Sequence, residues 1–374
     1  MPWKVSGIVS ERTEFVRLAA KEGRNLSQLC KNFEISRQTG YKWLKRHQTD
    51  QNLEDHSRRP LHSPHRTALS METRVVELRH QHPAWGARKL QRVLLNRGIS
   101  GVPATSTITD ILRRHGMILP EESARHEAWE RFERSEPNEL LQMDFKGYVL
   151  TDTGQCHPLT ILDDHSRYAV GLFACGNQRT QTVQECLKSV FRRYGVPQAI
   201  LSDNGSPWGT VNSEKGHTVL SVWLMGLGVK MLHGRPYHPQ TQGKDERFHR
   251  TLKAEVLRDR FVGLSQCQKR FDGWREEYNW VRPHEALKLE VPGSRYRPSP
   301  RAYREKPPDF ELAPGQEARK VENNGMIRMW GKRWKVGTAF VGKQVAVEPT
   351  KEDGVYQVLY NGLKIKELNR RSVQ

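Results

Sequence analysis

The feature that most restricts how this chain folds is a switch in hydrophobic period near residue 140. Ahead of it, apolar residues recur every three or four positions in short runs, as helices require. Beyond it they gather in strand-type runs that give way to alternating strands and helices. Residues 140–259 read in order as strand (140–145), turn (152–155), strand (158–162), strand (168–174), helix (183–194), strand (199–201), helix (219–227), strand (229–232) and helix (243–259). Three antiparallel strands feeding alternating units make an α/β sheet with helices on both faces. At 374 residues the chain exceeds one core, and roughly two to four domains are expected.

That order is the order of an RNase H-like sheet, and three carboxylates fall at the ends of its elements. Asp144 lies in the first strand between bulky Met143 and Phe145, where a lone carboxylate is costly unless paired or metal-bound. Asp203 closes the fourth strand in Leu201-Ser202-Asp203-Asn204-Gly205-Ser206, and the carboxyl ends of strands are where sheet proteins place ligands. By itself Asp-Asn-Gly reads as a turn. Glu246 lies early on the helix after His238-Pro239-Gln240-Thr241-Gln242-Gly243-Lys244, and by itself reads as a solvated surface residue. Three carboxylates converging at one sheet edge repel unless a cation sits among them. Hard oxygen donors suit Mg2+, with Mn2+ as a substitute. Two such ions, roughly 3.5–4 Å apart, serve phosphodiester displacement. Asp144 is expected to bridge both ions, Asp203 to hold one and Glu246 the other. Asp163 and Asp164 read as a strand-end turn with Arg167 as partner.

Charge identifies the other modules. The chain carries a net +19 with a pI near 9.9, an excess that a polyanionic partner explains and a fold does not. Residues 1–120 hold +11 of it, 121–140 hold −4 and 301–374 hold +6. The front reads as two helix-turn-helix modules. In the first, helices start near Val9, Asn25 and Arg37, with Ser36 as a cap, Tyr41 and Leu44 facing inward, and Arg37, Gln38, Lys42, Lys45 and Arg46 facing DNA. In the second, helices over 71–80, 87–96 and 106–115 present Arg88, Lys89, Arg113 and Arg114. Lys244, Arg250 and Lys253 are DNA contacts beside the metals, since Glu246, Arg250 and Lys253 share one helix face. The tail reads as six short strands and an SH3-like barrel. Five cysteines stand apart with no Cys-x-x-Cys pair, as in a reduced protein without a zinc knuckle. No stretch approaches a membrane span, and the first residues lack the apolar run of a secretory signal.

Gln142-Met143-Asp144, Asp203-Asn204-Gly205-Ser206 and the run from His238 to Arg247 resemble the Asp, Asp and Glu blocks of bacterial insertion-sequence transposases, whose core is shared with retroviral integrases. Ile161-Leu162-Asp163-Asp164-His165-Ser166-Arg167-Tyr168, Asn279-Trp280-Val281-Arg282-Pro283-His284-Glu285-Ala286-Leu287 and Pro83-Ala84-Trp85-Gly86-Ala87-Arg88-Lys89-Leu90 extend the resemblance over nearly the whole chain. Forty-two residues separate Asp203 from Glu246, more than is usual in that family, and the surplus fits a polar loop over 208–217. The resemblance implies a magnesium-dependent DDE transposase that cuts transposon ends and transfers 3′-hydroxyl ends into target DNA. It also implies a homo-oligomer that pairs two ends. The expected domains are 1–49 helix-turn-helix, 50–65 linker, 66–120 second helix-turn-helix, 121–139 connector, 140–297 catalytic core, 298–318 linker and 319–374 barrel. The expected partners are terminal inverted repeats and target DNA, with no membrane, in the cytoplasm and on the bacterial nucleoid. A nuclease that cuts without joining, or a DNA-binding regulator, are the competing readings.

Overall fold

The computed structural model describes residues 7–21, 23–50, 53–55, 67–118, 133–203, 205, 207–208, 217–233, 243–305 and 311–371. The expected linker over 50–65, the connector over 121–139 and the loop over 208–217 lie largely outside the described residues, and so do Asn204, Ser206 and motif residues 238–242. The chain forms two compact units, Met1–Arg66 and Thr67–Gln374.

The first unit is three helices, α1 (Ile8–Ala19), α2 (Leu26–Asn32) and α3 (Arg37–Asp50). Asn25 caps α2 by accepting the N–H of Ser27 at 3.0 Å, and Ser36 caps α3 by accepting the N–H of Thr39 at 3.1 Å. Between them Glu34 takes a left-handed conformation, φ 53°, which turns the chain sharply. The phase of α3 differs from the sequence expectation. Tyr41 is 63% exposed, while Gly40 and Trp43 face the core and Leu44 is half-buried. The cause is close packing: a Cβ on Gly40 would stand 2.6 Å from Sγ of Cys30, so a bare glycine lets α3 press onto α2 and sets its rotation.

In the second unit, α4 (Leu69–Gln81), α5 (Ala87–Asn96) and α6 (Thr105–Arg114) enclose Val75, Leu78, Trp85, Leu90, Ile108 and Ile111. The six-stranded sheet that follows holds β1 (Leu141–Phe145), β2 (Val149–Thr151), β3 (Gly154–Asp163), β4 (Ala169–Cys175), β5 (Ala199–Ser202) and β6 (Lys230–His233). β3 is antiparallel to β1, β2 and β4; β5 is parallel to β1 and β6 to β5. Strand alternation divides the core in two. Leu141, Met143, Leu159 and Ile161 pack with α7 (Thr180–Tyr194) and α8 (Val219–Gly226). Cys156, Leu162 and Leu172 pack with α9 (Gly243–Glu255) and α10 (Leu264–Trp280). Asp144, next to Met143, therefore points to the α9 side. α9 ends at Glu255 rather than near residue 259, and α10 is an element the sequence reading left out.

The tail departs from the expected barrel. β7 (Glu317–Lys320), β10 (Gln344–Pro349), β11 (Val355–Tyr360) and β12 (Leu363–Asn369) form one four-stranded sheet, and β8 (Met326–Met329) with β9 (Lys332–Lys335) forms a separate hairpin. No closed barrel exists among the described residues. A helix of the core fills the open side instead: Val222 and Met225 of α8 join Val321, Ile327, Phe340, Val345 and Val358 in one apolar cluster.

Candidate active site

The register of two neighbouring strands brings the two aspartates together. β1 and β5 are parallel with Gln142 opposite Leu201, so counting on two residues sets Asp144 beside Asp203 at the carboxyl ends of both. Burial first and the Asp203 charge second push the Asp144 carboxyl up to about 6. Asp144 Oδ1 accepts the N–H of Phe145 at 2.7 Å. Asp203 Oδ1 accepts the N–H of Gly205 at 3.0 Å, and its carbonyl lies 3.0 Å from Nδ1 of His233.

Asp144 is held from below by a chain that sequence reasoning missed. Thr160, its partner across β3, donates its hydroxyl to the Asp144 carbonyl at 3.0 Å. Having given its only proton, that hydroxyl accepts from Nε2 of His249 at 2.8 Å. The imidazole is buried and, through burial first and Lys146 second, titrates down at about 4. Its Nδ1 lies 3.8 Å from Oδ2 of Asp144. Beside it Asp245 is 2% exposed with Oδ1 unpartnered, and its carboxyl is held well above the usual range by burial, then by Asp144 and Asp164. Helical spacing was the available signal: Asp245, His249 and Leu252 form the inward face of α9.

Glu246 lies on the outward face of α9 and is exposed, as are Arg250 and Lys253. Among the described residues no three acidic, His or Cys side chains converge closely enough to hold an ion. The structure thus joins Asp144 and Asp203 and leaves Glu246 on the exposed face of α9, the helix whose inward face reaches Asp144 through His249. No ion pair of Arg250 or Lys253 occurs among the described residues, so the shared face is not a salt-bridged surface there.

Other sequence-selected residues fall differently. Lys244 donates to Oδ1 of Asp164 at 2.5 Å and is largely enclosed, which ties the start of α9 to the end of β3. Asp163 accepts the N–H groups of Asn138 and Ser166, and Arg167 pairs with Glu133 at 2.8 Å and donates to the Asp164 carbonyl. The Asp163–Asp164 turn is thus filled by backbone donors, the Ser166 hydroxyl, the Gln142 amide and Lys244, and Arg167 touches no carboxylate there. In the first unit Arg37, Gln38, Lys42 and Lys45 are exposed, whereas Arg46 is half-buried over the Trp43 ring at 5.0 Å. In the second module Arg88 is exposed. Arg113 pairs with Asp110, and Arg114 pairs with buried Glu72, each at 2.9 Å. Lys89 is half-buried, and burial first and Arg282 second bring its ammonium down to about 8.

Residues 134–239 and 227–292 match the integrase core domain, and residues 316–374 match the C-terminal domain of IS481 family transposases. Residues 11–60 match a helix-turn-helix domain and 39–112 a homeodomain-like domain. The chain is an insertion-sequence transposase with an integrase-like core. Its helix-turn-helix domains imply DNA binding, and its core makes the transposase a DNA-processing enzyme. It is similar to an uncharacterised protein of insertion element IS407 from Burkholderia multivorans, 25% identical over 64% of this chain and 85% of that one. It is also 25% identical to an uncharacterised protein of insertion element IS476 from Xanthomonas euvesicatoria, over 60% of this chain and 63% of that one. Among solved structures, the catalytic core domain of BIV integrase is 22% identical over 42% of this chain and 92% of that one, with a TM-score of 0.31. No described helix of the transposase is long and apolar enough to cross a membrane.

Proposed function

We propose that this transposase cuts a phosphodiester bond at each end of its element and joins the freed 3′-hydroxyls to target DNA. In this reading Asp144, Asp203 and Glu246 hold two Mg2+ ions, for which Mn2+ substitutes. The pairing of Asp144 with Asp203 carries the reading. Two adjacent strands set the two carboxylates side by side, and burial first and the Asp203 charge second lift the Asp144 carboxyl to about 6. Such a pair favours a cation between its members, and an all-oxygen donor set fits Mg2+. When bound, the ions polarise the scissile phosphate and activate the attacking oxygen. The chain's own part is to hold the ligands. Thr160 and His249 fix the β1 end under Asp144, the Gly205 N–H orients Asp203, and α9 carries Glu246 with Arg250 and Lys253 toward the DNA backbone.

The first module, through Arg37, Gln38, Lys42, Lys45 and Arg46, and the second, through Arg88 and Arg113, bind the terminal inverted repeats. The working form is a homo-oligomer that pairs two ends on the bacterial nucleoid. Asp144→Asn, Asp203→Asn and Glu246→Gln are each expected to abolish metal-dependent cleavage and strand transfer while duplex binding survives. Near wild-type cleavage by any one of them removes that residue from the site. Cleavage without joining in a plasmid strand-transfer assay refutes the joining step.

A further inference from the structure

Trp85, just ahead of α5, and Arg282, just past α10, meet at one side chain that the catalytic reading leaves unused. Glu255 is the last residue of α9, and its side chain is 6% exposed. Its Oε1 accepts the indole N–H of Trp85 at 3.1 Å and lies 3.4 Å from Nε of Arg282. Its Oε2 accepts the indole N–H of Trp274 at 2.8 Å. Arg270 closes the helix by donating to the Glu255 carbonyl at 3.1 Å, a cation at a helix carboxyl end. One enclosed carboxylate thus ties together the second helical module, the catalytic helix, α10 and the segment after it. A buried charge is tolerated where its partners are fixed, and losing one of them is costly.

The same joint is reinforced on both sides. The His82 ring stacks on Trp85 with centroids 3.7 Å apart, and its Nδ1 lies 2.9 Å from Oε1 of Glu277. Arg92 pairs with Glu290 at 2.5 Å. Helices α4–α6 are therefore bolted to α9 and α10 through named polar contacts. Glu246 sits nine residues before Glu255 on α9, about 13 Å along the helix axis at 1.5 Å per residue.

We propose that the Trp85–Glu255 hydrogen bond couples DNA binding by the second helix-turn-helix to the placement of the catalytic helix, which makes Glu255 and Trp85 positioning residues for the reaction. When α4–α6 hold DNA, the N–H of Trp85 fixes the carboxyl end of α9 and with it the position of Glu246. The proposal rests on the reading of function above, and its test includes a readout that needs no cleavage.

Two substitutions separate coupling from simple packing. Trp85→Phe removes the one indole donor that reaches Glu255 from the helical module and keeps an aromatic ring against His82. Trp274→Phe removes the equivalent donor from within the core. Full-length wild type and both variants are given a duplex taken from the DNA flanking the gene. Affinity, single-turnover cleavage of bound duplex, and hydrogen exchange at the amides of α9 are then measured. In wild type the duplex is expected to slow exchange near Glu255 by about ten-fold, the scale of one hydrogen bond to a charged group. In Trp85→Phe that protection is lost and cleavage of bound duplex falls by about ten-fold, while affinity stays within about two-fold. Trp274→Phe keeps the protection. Glu255→Met, of similar length and without an acceptor oxygen for the Trp85 N–H, is expected to lose the protection as Trp85→Phe does and decides the matter if Trp85→Phe does not fold. Equal behaviour of the two Phe variants, or wild-type exchange indifferent to duplex, overturns the coupling. Protection that appears without any cleavage by wild type leaves the coupling standing and sinks the catalytic reading instead.

Discussion

Removing residues 306–374 is expected to damage the catalytic core as well as the tail. Helix α8 is apolar on two sides: Leu220 and Leu224 are buried in the core cluster, while Val222 and Met225, 2% and 4% exposed, are buried in the C-terminal cluster. Asn361 also donates to the carbonyls of Met225 and Gly226 at 3.0 and 3.1 Å, which closes the helix end. Returning one Val and one Met to water costs about 1.5–3 kcal/mol each, so about 3–6 kcal/mol together. That is a large part of the 5–15 kcal/mol typical of a folded domain. In the chain the helix lies between β5, which Asp203 directly follows, and β6, so the loss reaches the site. Urea unfolding of the full chain and of a chain ending at residue 305 measures this. Trp223 on α8, stacked on Phe191 at 5.9 Å, is a natural fluorescence reporter. The shortened chain is expected to show a core midpoint lower by an amount matching that loss. Val222→Thr with Met225→Gln in the shortened chain recovers part of it by suiting the bared face to water. A shortened chain whose core unfolds within about 0.5 kcal/mol of the full-length value refutes the reasoning.

Three further outcomes are expected. Without divalent metal Asp144→Asn should melt higher than wild type. An acid lifted from 3.8 to about 6 lends the fold an advantage below the lower value that is lost as pH rises through the upper one. At neutral pH the charge therefore costs on the order of 3 kcal/mol. Calorimetry across that pH window checks this, and Mg2+ should raise the melting temperature of the wild type alone. Arg250→Ala with Lys253→Ala should reduce strand transfer sharply and lower the salt slope of DNA binding by about one to two units, at roughly 0.9 per phosphate contact; full activity at both low and moderate salt counts against a DNA-facing α9. Lys89→Met should stabilise the DNA-free chain near neutral pH by about 1–3 kcal/mol, since the ammonium has been brought down from 10.5 to about 8, mainly by burial. The wild type gains stability as pH rises from about 8 towards 10.5, and the variant does not; parallel pH–stability curves would show that Lys89 is not the cause.

Local pattern was enough for much of this protein. Periodicity located α5 at 87–96 and the strands of the core to within a few residues, and caps such as Asn25 and Ser36 were legible because a cap acts on its own next turn. The positions of Asp144 and Asp203 at strand ends were likewise visible, because strand and turn signals are written within a few residues. The signal for α10 was also present, with Cys267, Phe271, Trp274 and Tyr278 at helical spacing. The rest depended on contacts between residues far apart in the chain. The rotation of α3 follows from Gly40 meeting Cys30, and the outward turn of Tyr41 is its consequence. Lys244 looks like one more basic residue until β3 brings Asp164 to it. The open C-terminal sheet reads as a barrel until α8 covers its apolar side. Nothing near Glu255 in the chain marks it for burial, and only the approach of Trp85, Trp274 and Arg282, separated from it by as many as 170 positions, makes it a buried joint. A sequence fixes which side chains an element carries and the period at which they recur; which distant group each one meets is set by packing, where shape and desolvation over the whole molecule decide.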